Sequence, residues 1–92
     1  MSDDQFRRIA RTVADPARLA ALQKVAREGE VSCLGLRDHL GLTAATISHH
    51  VAELMQANLV ISRREGKFVI LALNRNVWRA YLHELGERIP EK

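Results

Sequence analysis

The chain has a single cysteine, Cys33, so it has no partner for an internal disulfide, which agrees with a reducing compartment. Long apolar runs are also missing, and none approaches the roughly 18 residues a membrane span needs. Met1, Ser2, Asp3 and Asp4 make an acidic, polar start, without the basic stretch and apolar core of a secretion signal. The expectation is a cytoplasmic protein with no membrane partner. No repeat, low-complexity tract or linker interrupts the chain. Its two prolines and five glycines fall where helices and turns should begin or end. No nucleophile–base–acid set, phosphate-cradling glycine loop or cluster of metal ligands is recognisable, so neither an enzyme nor a cofactor is expected. With 92 residues the chain has room for one core, and residues 1–92 read as one domain. So small a domain buries only about 60–65% of its unfolded surface, which makes pairing with a second copy favourable.

What is present is positive charge with a skewed distribution. Fourteen Lys and Arg against eleven Asp and Glu give a net charge of +3. Residues 43–79 hold Arg63, Arg64, Lys67, Arg75 and Arg79 against only Glu53 and Glu65. A basic second half favours a polyanionic partner.

The apolar periodicity divides the chain into short elements. Phe6, Ile9, Ala10 and Val13 form the stripe of a first helix. Asp15 can cap a second helix that Pro16 opens; Leu19, Leu22, Val25 and Ala26 line its inner face, and Gly29 closes it. Val31 reads as a short extended link. Ser32 can cap a third helix carrying Cys33, Leu36 and Leu40, and Gly41 with Leu42 makes a tight turn. Thr43 can cap a fourth helix whose inner face is Ile47, Val51 and Leu54. Residues 59–64 and 67–73, rich in Val, Ile, Phe and Leu and separated by Glu65 and Gly66, read as a β-hairpin. Asn74 can cap a last helix with Val77, Trp78, Tyr81, Leu82, Leu85 and Ile89 on one stripe, ended by Pro90.

Two helices joined by a glycine turn and followed by a basic-tipped hairpin define the expected fold class. It is mainly α with a small β-hairpin: a winged helix-turn-helix of about five helices and a two-stranded wing. The DNA-facing candidates are Thr43, Ala45, Thr46, Ser48 and His49 at the start of the fourth helix, with Arg63, Arg64 and Lys67 on the wing. His49 and His50 point about 100° apart and do not share a metal ion; His50 leans toward Ile47 and Leu54 as a structural residue. Arg18 reads as structural. Phe6, Ile9, Val13, Trp78, Tyr81, Leu82 and Leu85 make more apolar stripe than two terminal helices can hide, and are the candidate dimer interface. Cys33 reads two ways, as a thiol activated by a helix N-terminus and able to sense oxidation, or as a small buried hydrophobe.

Ala14 to Leu19, Thr46 to Val51, and Leu59 and Val60 through the Arg63, Arg64, Glu65, Gly66, Lys67 wing together resemble the ArsR/SmtB family of bacterial repressors. The resemblance covers roughly residues 5–88 in unbroken order. It implies a dimer formed by the first and last helices, an imperfect inverted repeat as target, and release from DNA when an inducer binds. It also implies where metal would bind. The family's metal sensors place a Cys-X-Cys pair at the start of the third helix, where Ser32 and Leu34 stand here, with Cys33 between them. A second family site uses Asp/His and His/Glu pairs along the last helix, which offers only His83, Glu84 and Glu87 without that spacing. One thiol cannot hold a soft metal, so direct metal sensing is not expected.

The leading functional expectation is therefore a sequence-specific repressor that binds double-stranded DNA as a homodimer and has no metal site. The alternative is a winged-helix module that docks on protein, with nucleic acid incidental. An unidentified small molecule and oxidation of Cys33 are the candidate inducing signals.

Overall fold

In a computed structural model, Met1–Lys92 are all described and the eight elements follow one another with little intervening chain. They are α1 (Asp3–Ala14), α2 (Pro16–Glu28), β1 (Glu30–Ser32), α3 (Cys33–Leu40), α4 (Ala44–Gln56), β2 (Val60–Glu65), β3 (Phe68–Leu73) and α5 (Arg75–Arg88). Side-chain caps explain most of the helix starts. Asp15 accepts from the backbone N–H of Ala17 and Arg18, Ser32 from Gly35, Thr43 from Thr46 and Asn74 from Val77. Each bond satisfies an N–H group that the first helical turn leaves free. Gly41 closes α3 at φ +65°, a left-handed conformation that favours glycine, and its N–H bonds to the Arg37 carbonyl.

One core joins these elements. Ile9 from α1, Leu22 and Val25 from α2, Leu36 from α3, Ile47 and Leu54 from α4, Leu71 from β3 and Tyr81 from α5 all lie within it. On α4 the buried residues Ile47, His50, Val51 and Leu54 fall at i, i+3, i+4 and i+7, one helical face. Arg8 of α1 adds a hydrogen bond to Gln56, at the end of α4.

The fold class is a winged helix-turn-helix of five helices, with one correction to the wing. The sheet has three antiparallel strands in the order β1-β3-β2, not two. Val31, read from sequence as a link, belongs to β1 and pairs with Leu71. Three residues are too few to display an alternating pattern. Their backbone groups instead satisfy the edge of β3 that β2 leaves open.

The hairpin register also shifts the tip. Glu65 pairs with Phe68, so the loop is Gly66 and Lys67 rather than Glu65 and Gly66. Gly66 has φ +62° while Lys67 is not among the positive-φ residues, the pattern of a type II′ turn with glycine first. Lys67 therefore sits at the extremity of the wing.

Candidate nucleic-acid interface

The helix-turn-helix presents α4 with its apolar face inward, and the opposite face is polar and open. Ala45, Thr46, Ser48, His49 and Ala52 are exposed, while Ile47, His50 and Val51 are buried between them. Thr43 and Thr46 are coupled at the start of this face. The Thr43 hydroxyl accepts from the Thr46 N–H at 3.2 Å and donates to the Thr46 hydroxyl at 2.9 Å. Thr46 keeps its own hydroxyl hydrogen, free to donate to a phosphate or a base edge.

The wing's three cations differ from one another. Successive residues on a strand point to opposite faces, so Arg63 and Arg64 diverge. Arg63 shares the outer face with Ile61, Ile70 and Ala72, and reaches across the central strand to Glu30 of β1. It also binds Glu65 at 2.8 Å. The two carboxylates hold its guanidinium even more firmly protonated than usual, and Arg63 in turn keeps the Glu30 carboxyl below its ordinary range. Arg64 and Lys67 have no carboxylate within 4.0 Å, and Lys67 Nζ rests 5.5 Å from the Phe68 ring centroid. Of the wing cations expected to meet DNA, Arg64 and Lys67 are unpaired. Arg63 is a brace between the two outer strands. No local signal in the sequence reveals this, because the partner Glu30 lies 33 residues away on β1.

Two residues with structural expectations are brought together. His50 is only 8% exposed, and its Nδ1 accepts a hydrogen bond from Arg18 Nε at 3.2 Å. Arg18 thus binds an imidazole and has no carboxylate partner.

Cys33 lines an open cavity of about 220 Å³ between α3 and α4, with Leu34, Arg37, Ala44, Ile47 and Ser48. Burial pushes its thiol up, against the lowering that its place at a helix N-terminus suggests. A raised thiol holds less thiolate and reacts more slowly, which disfavours the redox-sensor reading. At the two positions where the resemblance implies metal-binding cysteines, Ser32 caps α3 and Leu34 is apolar.

The terminal helices are stitched together within the protomer. Arg88 binds Asp3 at 2.7 Å and Glu84 at 3.1 Å and lies 3.9 Å from the Phe6 ring centroid, while Phe6 and Trp78 each pack on Tyr81. Among the candidate interface residues, Ile9 is fully buried and Tyr81 6% exposed, so both serve the protomer's own core. Phe6, Val13, Trp78 and Leu85 are half-buried, and Leu82 is 48% exposed. No helix is long and apolar enough to cross a membrane.

Comparison with known proteins points the same way as this geometry. A family model described as a helix-turn-helix domain matches residues 13–63. The arsenical resistance operon repressor of Staphylococcus xylosus is 31% identical over 74 residues, covering 80% of this chain and 70% of that protein. The arsenic resistance transcriptional regulator ArsR1 of Pseudomonas putida is 33% identical over 69 residues, 75% of this chain, which spans about half (54%) of that relative's length. A Mycobacterium bovis domain solved by NMR, described as a homodimeric winged helix-turn-helix DNA-binding domain of a possible ArsR-family transcriptional regulator, superposes with a TM-score of 0.76. It is 25% identical, and the match covers 99% of this chain and 92% of that one.

Proposed function

The chain belongs to the ArsR family of winged helix-turn-helix transcriptional regulators, and from that premise we propose that it is a repressor which binds an inverted-repeat operator as a homodimer. The observation that carries this reading is the exposed polar face of α4 beside a wing with two unpaired cations, Arg64 and Lys67. Ala45, Thr46, Ser48 and His49 read base edges in the major groove; Thr43, Arg64 and Lys67 hold phosphates. The repressor name of the Staphylococcus relative and the homodimeric state of the mycobacterial domain support the regulatory role and the pairing. Leu82 with the outward edges of Phe6, Val13, Trp78 and Leu85 supplies the dimer surface. Release is not triggered by a metal bound to this chain, since the two cysteine positions hold Ser32 and Leu34.

The test is a mobility-shift titration of the DNA upstream of its own coding sequence against a random duplex, at two salt concentrations. Operator binding should exceed random binding, and both should weaken steeply with salt. A second reading, docking on protein through the wing, draws on Ile61 and Phe68, which are 57% and 42% exposed. Salt-insensitive or absent binding to both duplexes would favour that reading instead.

A further inference from the structure

Most of what holds α4 in place is apolar. Ile47, Val51 and Leu54 enter the common core. Burial of this one face turns α4 toward the core, and a directional hydrogen bond can hold its rotation more narrowly than the apolar stripe alone. The polar joint is different. Arg18 Nε donates to His50 Nδ1 across 3.2 Å, and His50 is one of only two buried polar residues, with Thr12. Arg18 is itself fixed, because it lies in the first turn of α2, where Asp15 accepts from its N–H at 3.0 Å and from that of Ala17 at 2.9 Å. The joint therefore ties the capped start of α2 to the centre of α4, one residue from His49 on the exposed face.

We propose that Arg18 and His50 are positioning residues for DNA reading: their hydrogen bond fixes the fine rotation of a recognition helix that the apolar stripe has already turned inward, and it exists only while the imidazole is neutral. This inference rests on α4 being the DNA-reading helix. A guanidinium is always a donor, so Nδ1 must offer its lone pair and the ring proton sits on Nε2. A second proton can enter the ring only at Nδ1, the atom that Arg18 occupies. Protonation therefore evicts the guanidinium and sets two cations side by side, with the Asp15 carboxylate as counter-charge. The groups facing the ring are Asp15 at the cap of α2, Arg18 in its first turn and, 5.9 Å away between centroids, the His49 ring on α4 itself. From α3, Arg37 lies beside Ala44, Ile47 and Ser48; from β2, Arg63 is engaged by Glu30 and Glu65. Because Thr46 and His49 ride on the same rigid helix, loss of the joint moves them together. Base discrimination should suffer more than phosphate binding.

Two measurements test the proposal. The first uses the free protein. Ring ¹⁵N shifts should show Nδ1 of His50 without a proton while Arg18 donates to it, and the α4 amide shifts should change in step with protonation of that ring as pH is lowered. In Arg18→Met the amides should no longer follow. A proton on Nδ1 at neutral pH, or a His50 titration that leaves α4 unmoved, overturns the proposal whether or not the protein binds DNA.

The second is the ratio of operator to random-duplex affinity. It should fall about tenfold in the unmodified protein once pH is low enough for the ring shifts to report a protonated His50. In His50→Gln, whose amide oxygen can accept from Arg18 without titrating, the ratio should stay high and change much less. A pH profile identical to that of the unmodified protein overturns the proposal, since exposed His49 would then account for the effect. Should His50→Gln fail to fold, Arg18→Met decides: an unchanged ratio at neutral pH overturns the proposal and a lowered, pH-independent ratio sustains it. If neither duplex binds at any pH, the DNA-binding reading fails, and the ring shifts still decide whether the joint exists.

Discussion

The wing carries three cations, yet the structure leaves only two of them unpaired, and salt dependence can tell them apart. Each DNA phosphate neutralised by the protein contributes about 0.9 to the slope of log affinity against log salt. Removing one such contact from each half of a dimer should therefore lower the slope by about 2. Lys67, at the extremity of the hairpin and without a carboxylate partner, should show this full effect when replaced by alanine. Operator and random duplexes should weaken alike, because a phosphate contact carries no sequence information. Arg63 should behave differently. Its guanidinium already sits against Glu30 and Glu65, so it displaces few counterions when the wing meets DNA. Arg63→Ala should shift the slope by less than about 0.5, well under the 0.9 of even one contact. Affinity should still drop, because the brace between β1 and β2 is lost and two carboxylates are left unpaired beside the DNA. The assay is fluorescence anisotropy on both duplexes from about 50 to 200 mM salt, a range over which phosphate-contacting proteins lose orders of magnitude in affinity. Equal slope changes for Arg63→Ala and Lys67→Ala would refute the division of roles, and so would a Lys67→Ala loss confined to the operator.

Three further outcomes follow from the same structure. Leu82→Asp places a charge on a side chain that is 48% exposed in the protomer, so it should keep the helical circular-dichroism spectrum, sediment as a monomer and lose operator affinity; a persistent dimer would move the interface elsewhere. Zinc, cadmium, arsenite or copper(I) in modest excess under reducing conditions should not release the protein from DNA, and stoichiometric release that survives Cys33→Ser would reveal a site built from other residues. The Asp15 carboxyl is held below its ordinary range, first by the Arg18 backbone N–H. A lowered folded value means a contribution to stability that is complete above the ordinary carboxylate range near pH 4 and fades as pH falls through the lowered value. Asp15→Asn should therefore flatten that part of the acid-unfolding curve, and an unchanged curve would remove the cap from the explanation.

The parts of this fold that could be read from sequence are those whose cause is local. Asp15, Ser32, Thr43 and Asn74 each cap a helix by bonding to an N–H within three residues, so the residue type and the periodic segment after it suffice. The inner face of α4 was legible for the same reason, since Ile47, Val51 and Leu54 repeat at helical spacing. β1 was not. Its strand character lies in the partner, Leu71, which is distant in sequence, and not in Glu30, Val31 and Ser32 themselves. Ile9 and Tyr81 illustrate the same limit, because periodicity identifies an apolar stripe but not which of its members the protomer's own core will take.

At the candidate site the division is finer and turns on β-sheet register. Arg63, Arg64 and Lys67 are neighbours in a basic run, and by composition all are equally fitted to meet a phosphate. The pleat separates Arg63 from Arg64, and the pairing of Glu30 and Arg63 with residues of the same central strand brings carboxylate and guanidinium together on the outer face. The β1 strand, read from sequence as an extended link, is therefore what supplies Arg63 with the Glu30 carboxylate. A slip of one residue in the β2–β3 pairing would turn Arg63 to the inner face and Arg64 to the outer, exchanging brace and contact without altering a single residue. Whether Arg63 is paired is thus a property of strand pairing, and a substitution that loosens β1 from β3 should change the salt dependence of DNA binding even though it touches no basic residue.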